Sequence, residues 1–243
     1  LVLFISAAHA DEAARVRAVV APVVGAVMAK HQIPGMAVAV TLQGRPYLLN
    51  FGVASKESGQ PVTDNTLFEI GSLSKPLTAT LAAYAQVTGK LSFSDHASKY
   101  VPELRGKPID RATLLHLGTY TAGGLPLQFP DAVDGNQAAL AYYADWVPAA
   151  QPGIQRQYSN PSLGLFGLAA SNALGQGFAG AMESIVFPAF GMVSTFINVP
   201  ERAAAHYAWG YRGDKAVRMA WLMRPRKASS SATPSGSTTN SGI

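Results

Sequence analysis

One pair of strand-like runs, followed by helical and broken segments, constrains this chain more than any other feature. "MAVAVTLQGRPYLLNFGVA" reads as two strands joined at Gln43-Gly44, an antiparallel hairpin. A two-stranded hairpin is marginal alone and needs a helix packed on it or more strands. After Val199 no further strand is expected. Strands first and helices afterwards, without β-α-β alternation, predict an α+β fold: a helical lobe beside an antiparallel sheet of which only the N-terminal hairpin is present.

The helical segments carry their own signals. Residues 11–31 place Val16, Val19, Val20, Val23, Val24 and Val27 on a broad apolar face, with Pro22 as a kink. "GSLSKPLTATLAAYA" repeats Leu77, Leu81 and Tyr84 at helical spacing and ends at Gly89. Between Leu91 and Ala150 the segments are short. "RATLLHLGTYTAGGLP" holds a short helix before Gly123-Gly124, and a further helix is expected around Leu140–Trp146. "LGLFGLAASNALG" reads as a helix stopped by Gly175, and "FAGAMESIVFPAFGM" as one bounded by Pro188 and Gly191. "STFINVP" reads as a short strand or extended segment.

Composition narrows the function. With 243 residues, 48% hydrophobic, the chain can bury a large core. It has no cysteine, which excludes disulfides and thiolate chemistry. Its five histidines show no metal-ligand spacing, and no apolar run is long enough for a membrane span. The net charge of +5 comes from the end of the chain. After Asp214 there are five basic residues and no acidic ones, so residues 1–214 hold 14 of each sign. The body has no bias toward nucleic acid.

The two ends differ from the middle. "LVLFISAAHA" is an apolar run closing on Ala8-His9-Ala10, an A-x-A cleavage pattern. Residues 1–10 are therefore expected to be a partial signal peptide, with mature protein starting near Asp11 and a periplasmic destination. Residues 219–243, rich in Ser, Thr, Pro and Gly, are expected to form a disordered low-complexity tail. That leaves 11–218 as the folded domain.

Three segments carry residues suited to chemistry. Ser72 and Lys75, three apart, share one face of a helical turn. A serine hydroxyl becomes a nucleophile when a base takes its proton, and a nearby lysine of lowered pKa can be that base. The spacing alone is weak: S-x-x-K is expected by chance about once in roughly 240 residues. Taken alone, the motif is better explained by an N-cap serine beside a surface lysine. Pro76 disfavours helical geometry at Lys75, so the helix must start late or with a distorted first turn. In Tyr158-Ser159-Asn160, a phenol of lowered pKa can accept a proton, and an amide can hold a carbonyl. A plain turn at Asn160-Pro161 is the alternative. "TYTAGGLPLQFPD" presents Gln128 from a Gly-Gly-Leu-Pro turn, suited to a pocket wall or to any surface loop.

Taken in order, "LFEIGSLSK", "TYTAGGLPLQFPD", "QRQYSNPSLGLFG" and "NVPERAAAHYAWGYR" resemble blocks of the class C β-lactamases, serine enzymes of the penicillin-recognising group. The resemblance runs from about Ile33 to Arg218. It implies that Ser72 is the nucleophile, Lys75 its partner and Tyr158 a sharer of proton transfer. Asn160 would contact the substrate's side-chain amide, with Gln128 at the same pocket. Ser72 would attack the lactam carbonyl and form an acyl-enzyme released to water, its backbone N–H giving half of the oxyanion hole. No metal or organic cofactor is implied. The expected partner is a small-molecule β-lactam, with no nucleic acid, no membrane span and a monomeric state. The implied function is a cephalosporinase-type hydrolase conferring β-lactam resistance.

The family's Lys-Thr/Ser-Gly motif is not found: no lysine here is followed by Thr-Gly or Ser-Gly. The resemblance therefore implies a truncated member, its tail either a shifted reading frame or a divergent end. A D-alanyl-D-alanine peptidase or esterase using the same serine and lysine, or an inactive fragment, are the competing readings.

Overall fold

The structure is a computed structural model and describes residues 2–218. The expected tail, 219–243, lies outside the described residues.

Helix α1 (Val2–His31) runs through Pro22 and ends in Lys30 and His31, cations suited to a helix C-terminus. Strands β1 (Gly35–Leu42) and β2 (Arg45–Gly52) follow as the expected hairpin. Gln43 and Gly44 have φ of +50° and +78°, the doubly left-handed turn that matches strand twist. The register pairs Val40 with Tyr47, Val38 with Leu49 and Met36 with Phe51, setting these six side chains on one face. Tyr47 and Leu49 are buried there. α1 crosses the hairpin: the Tyr47 hydroxyl donates to Glu12, and the Arg17 guanidinium lies 5.5 Å from the Phe51 ring centroid.

The main core is helical. α2 (Ser74–Val87) buries Thr78, Leu81, Ala82 and Ala85, one stripe at helical spacing. α5 (Asn160–Ala173) buries Leu165, Phe166, Ala169 and Ala170 against it. Gly167 sits at the crossing. A Cβ there would lie 2.8 Å from Thr78 Cγ2, so only glycine lets the two helices approach this closely. The short helix α3 (Leu114–Gly118) adds Leu114 and Leu117 to the same core. α4 (Gly135–Asp145) adds Tyr143, whose hydroxyl donates to the Pro161 carbonyl at 2.7 Å. Phe178–Ala181 (α6) and Phe187–Ala189 (α7) are joined by a π-helical turn, Met182–Val186.

Several details depart from the sequence reading: α1, expected over 11–31, already begins at Val2, and α5 begins at Asn160, inside the expected loop. α4 begins five residues before Leu140, because Gly135 at φ +79° opens the turn that starts it. The segment ending in Phe190 continues past Pro188, the π-turn having widened the helix just before it. "STFINVP" is irregular, its Ile197 N–H held by the Glu183 carboxylate at 2.9 Å. Strands do follow Val199: β3 (Gly210–Arg212) and β4 (Lys215–Val217) form a second hairpin. Three-residue strands bearing charges carry too little alternation to read from sequence. They form because loop 55–57 holds them. Tyr211 Oη donates to Glu57 at 2.6 Å and accepts from the Lys56 N–H at 2.7 Å, and Trp209 N–H reaches the Ala54 carbonyl at 2.9 Å.

Candidate active site

The segment before α2 forms a tight turn before it forms an α-helix. Gly71–Leu73 is a single 3₁₀ turn, and α2 proper starts at Ser74. Ser72 therefore stands in the 3₁₀ turn and Lys75 in the first turn of α2. Sequence spacing had placed both in one helical turn. Pro76 is the third residue of α2, in the first turn, where a helix tolerates the missing N–H better than in its interior. The distorted start brings the side chains together: Lys75 Nζ donates to Ser72 Oγ at 2.9 Å.

Tyr158 arrives from 86 residues away. Its hydroxyl donates to the same Ser72 Oγ at 2.9 Å, and the Lys75 ammonium lies 4.9 Å from its ring centroid. The loop holding it is tied on both sides. The Gln157 N–H bonds the Tyr120 carbonyl at 2.9 Å. Ser159, fully buried, caps α5 by accepting the Ser162 N–H at 3.0 Å. The hydrogen bond from Lys75 and then the one with Ser72 hold the Tyr158 phenol below its ordinary value, against a smaller opposing effect of burial. Loss of a proton from Lys75 or Tyr158 would reverse one of the two bonds, with Ser72 O–H then donating to the base.

Asn160 and Gln128 are adjacent to this trio through the backbone. Asn160 N–H donates to the Leu127 carbonyl at 3.0 Å, fixing the Gln128 loop against the start of α5. The Asn160 Oδ1 is buried and has no hydrogen-bond partner among the described residues. Gln128 is exposed, and no hydrogen bond links its side chain to Ser72, Lys75 or Tyr158. The turn behind it is held by Gly123, φ +115°, whose carbonyl accepts the N–H groups of Ala149 and Ala150; a Cβ at 123 would lie 2.4 Å from the Ala150 carbonyl oxygen. Ser72 is exposed and Tyr158 38% exposed, so the trio sits on an open shelf. Among the described residues no three His, Asp or Glu side chains cluster in a way that could hold a metal, and no helix is long and apolar enough to cross a membrane.

One residue at this site escaped the sequence reading. The Tyr120 ring lies 5.0 Å from that of Tyr158, tilted by 44°. The only available signal was an aromatic residue just past the end of α3.

The fold is similar to those of solved class C β-lactamase structures. One such structure is 43% identical with a TM-score of 0.81, covering 86% of this chain and 58% of its own. A class C enzyme in complex with cefoxitin is likewise 43% identical, with a TM-score of 0.81 and coverage of 86% and 59%. D-alanine carboxypeptidase AmpC from Burkholderia cenocepacia is 47% identical, with a TM-score of 0.75 and coverage of 87% and 58%. Among sequences, a beta-lactamase of Pseudomonas fluorescens is 53% identical over 205 residues, 84% of this chain and 57% of its own length. One of Escherichia coli K12 is 49% identical over 190 residues, 78% and 50%. The beta-lactamase family profile matches residues 20–238. The chain belongs to the beta-lactamase family. It spans 50–59% of the length of these relatives.

Proposed function

We propose that this chain carries the acylating site of a serine β-lactam hydrolase of the cephalosporinase type. The observation that carries the reading is the double hold on Ser72 Oγ, 2.9 Å from both Lys75 Nζ and Tyr158 Oη. In the proposed reaction Ser72 Oγ bonds to the lactam carbonyl carbon, and its proton passes to Tyr158 or Lys75. That proton is then delivered to the lactam nitrogen as the C–N bond breaks, leaving an ester on Ser72. Water attacks the ester with Tyr158 as base, and Ser72 recovers its proton as the acid leaves. The first backbone N–H groups of a helical start lack intrahelical partners, which suits the Ser72 N–H to half of an oxyanion hole. Asn160 and Gln128 would hold the substrate's side-chain amide. The unpartnered, buried Asn160 Oδ1 supports this, since an amide N–H would satisfy it.

The wider function follows the same reading: lactam resistance, a monomer acting without cofactor or nucleic acid, and export to the periplasm through residues 1–10. The domain would then comprise residues 11–218. Nitrocefin turnover by the purified full chain, beside its Ser72→Ala variant, tests the core of it. Turnover by the chain and none by the variant is expected; equal rates sink the assignment. A second reading, a D-alanyl-D-alanine peptidase, is favoured by the likeness to the Burkholderia carboxypeptidase. A D-alanyl-D-alanine peptide tested in parallel separates the two. Release of D-alanine with rapid acylation but slow turnover of nitrocefin would select the peptidase.

A further inference from the structure

Three non-glycine residues among those described have left-handed backbones: Gln32, Gln43 and Tyr120. Gln32 follows the end of α1 and Gln43 opens the hairpin turn, both polar and at ordinary positions for this geometry. Tyr120 is different. It stands two residues past α3, where the Tyr120 N–H bonds the Leu117 carbonyl at 3.3 Å and the Thr121 N–H bonds the His116 carbonyl at 2.8 Å. These two bonds make a complete Schellman closure, and its left-handed position is one that glycine fills without steric cost. Here it holds a large aromatic at φ +64°.

The side chain accounts for the choice, since the backbone alone would favour glycine. The Tyr120 ring packs on that of Tyr158 at 5.0 Å, and the Arg156 guanidinium lies 5.3 Å from the Tyr120 ring centroid. Its carbonyl also takes the Gln157 N–H, so main chain and ring hold Tyr158 and the residue just before it. We propose that Tyr120 is a positioning residue whose ring holds the Tyr158 phenol against Ser72 Oγ. This rests on the reading of Tyr158 as the proton carrier. The groups facing Tyr158 are Ser72 and Lys75 on one side and Tyr120, backed by Arg156, on the other. Burial, and then the neighbouring Tyr158, hold the Tyr120 phenol above its ordinary value despite Arg156. Tyr120 thus stays neutral and does not compete for the proton.

Three variants of the full chain test this. Tyr120→Gly and Tyr120→Asn both tolerate the left-handed backbone and remove the ring; Tyr120→Phe keeps the ring. Two readouts are taken. One is the titration of the Tyr158 ring carbon by NMR, with ¹³C-tyrosine labelling assigned through Tyr158→Phe. The other is the pH dependence of Ser72 labelling by a fluorescent penicillin. The ringless variants should keep a cooperative thermal transition. In them Tyr158 should titrate closer to an ordinary phenol, and labelling should slow by roughly 10- to 100-fold with its pH limb moved upward. Tyr120→Phe should restore both. An unmoved Tyr158 titration in Tyr120→Gly and Tyr120→Asn overturns the proposal, as does failure of Phe to rescue. If the unsubstituted chain is not labelled at all, the acylation reading fails instead, and the titration still decides the role of Tyr120.

Discussion

Ser72, Lys75 and Tyr158 each had an ordinary explanation in sequence, and their joint meaning lies in two distances. Ser72 and Lys75 were legible as a pair because they are three residues apart. Tyr158 was legible as a proton acceptor, but as a partner of Ser72 only through the resemblance, because no local pattern reports a contact across 86 residues. Tyr120 was not legible, since sequence shows the aromatic but not its left-handed backbone. That backbone costs about 1–2 kcal/mol for a residue with a Cβ. The lowered phenol of Tyr158 yields a prediction at this scale. A group held below its ordinary value is deprotonated at lower pH. If its phenolate is the base, Ser72 acylation should rise with pH and level off below the free-phenol value of 10.0. Tyr158→Phe should lose about 100- to 10,000-fold and flatten that limb, as read by penicillin labelling from pH 5 to 10. An unchanged pH profile in the variant would assign the base to another group.

At the scale of elements, the site exists because α2 and α5 bring their N-terminal ends together. α2 begins just after Ser72, and α5 begins just after Tyr158. Both helices were readable from sequence, but the packed stripe only in part: of Leu77, Leu81 and Tyr84, Leu81 is fully buried and Tyr84 is 45% exposed. How closely they approach was not readable, because "LFGLAA" offers a glycine with no sign of what faces it. The structure sets Thr78 Cγ2 there. Gly167→Ala gains the intrinsic helix preference of alanine, about 1 kcal/mol, but must move Thr78 or spread the helices, an overpacking cost of typically 1–3 kcal/mol. The expected net result is modest destabilisation by urea melt, up to about 2 kcal/mol, with a larger proportional loss of Ser72 labelling. A Gly167→Ala variant that melts later than the parent and labels as fast would show that Thr78 yields freely. The same limit explains the missed hairpin β3–β4, whose partners Lys56, Glu57 and Ala54 lie far off in sequence.

For the whole molecule, order is distributed unequally between the helical lobe and the N-terminal hairpin. The helical lobe holds one continuous core from Leu81 to Phe187. On the other side the separate buried cluster is Ala54, Val62 and Ala208, and among the described residues β1 and β2 pair only with each other. β1 carries no charged residue along its length to discourage strand addition. Above the hairpin, α1 leaves Val19 73% and Val23 62% exposed, and Leu48 of β2 is 59% exposed. The α+β architecture and the marginality of a two-stranded sheet were both readable from the order of the segments. The unequal cores become visible only once burial is known. Local opening free energy follows buried apolar contacts, so amide hydrogen exchange should separate the two regions. Amides of α2 and α5 should exchange slowest, at the rate of global unfolding. Those of β1 and β2 should exchange at least about tenfold faster, reflecting opening of the hairpin without the lobe. Leu165→Ala should cost about 2–5 kcal/mol and speed the slow amides. Val23→Gln, on the exposed face, should stay within about 0.5 kcal/mol and leave them unchanged. Hairpin amides as protected as those of α5 would mean that the α1–hairpin layer and the helical lobe open as one unit.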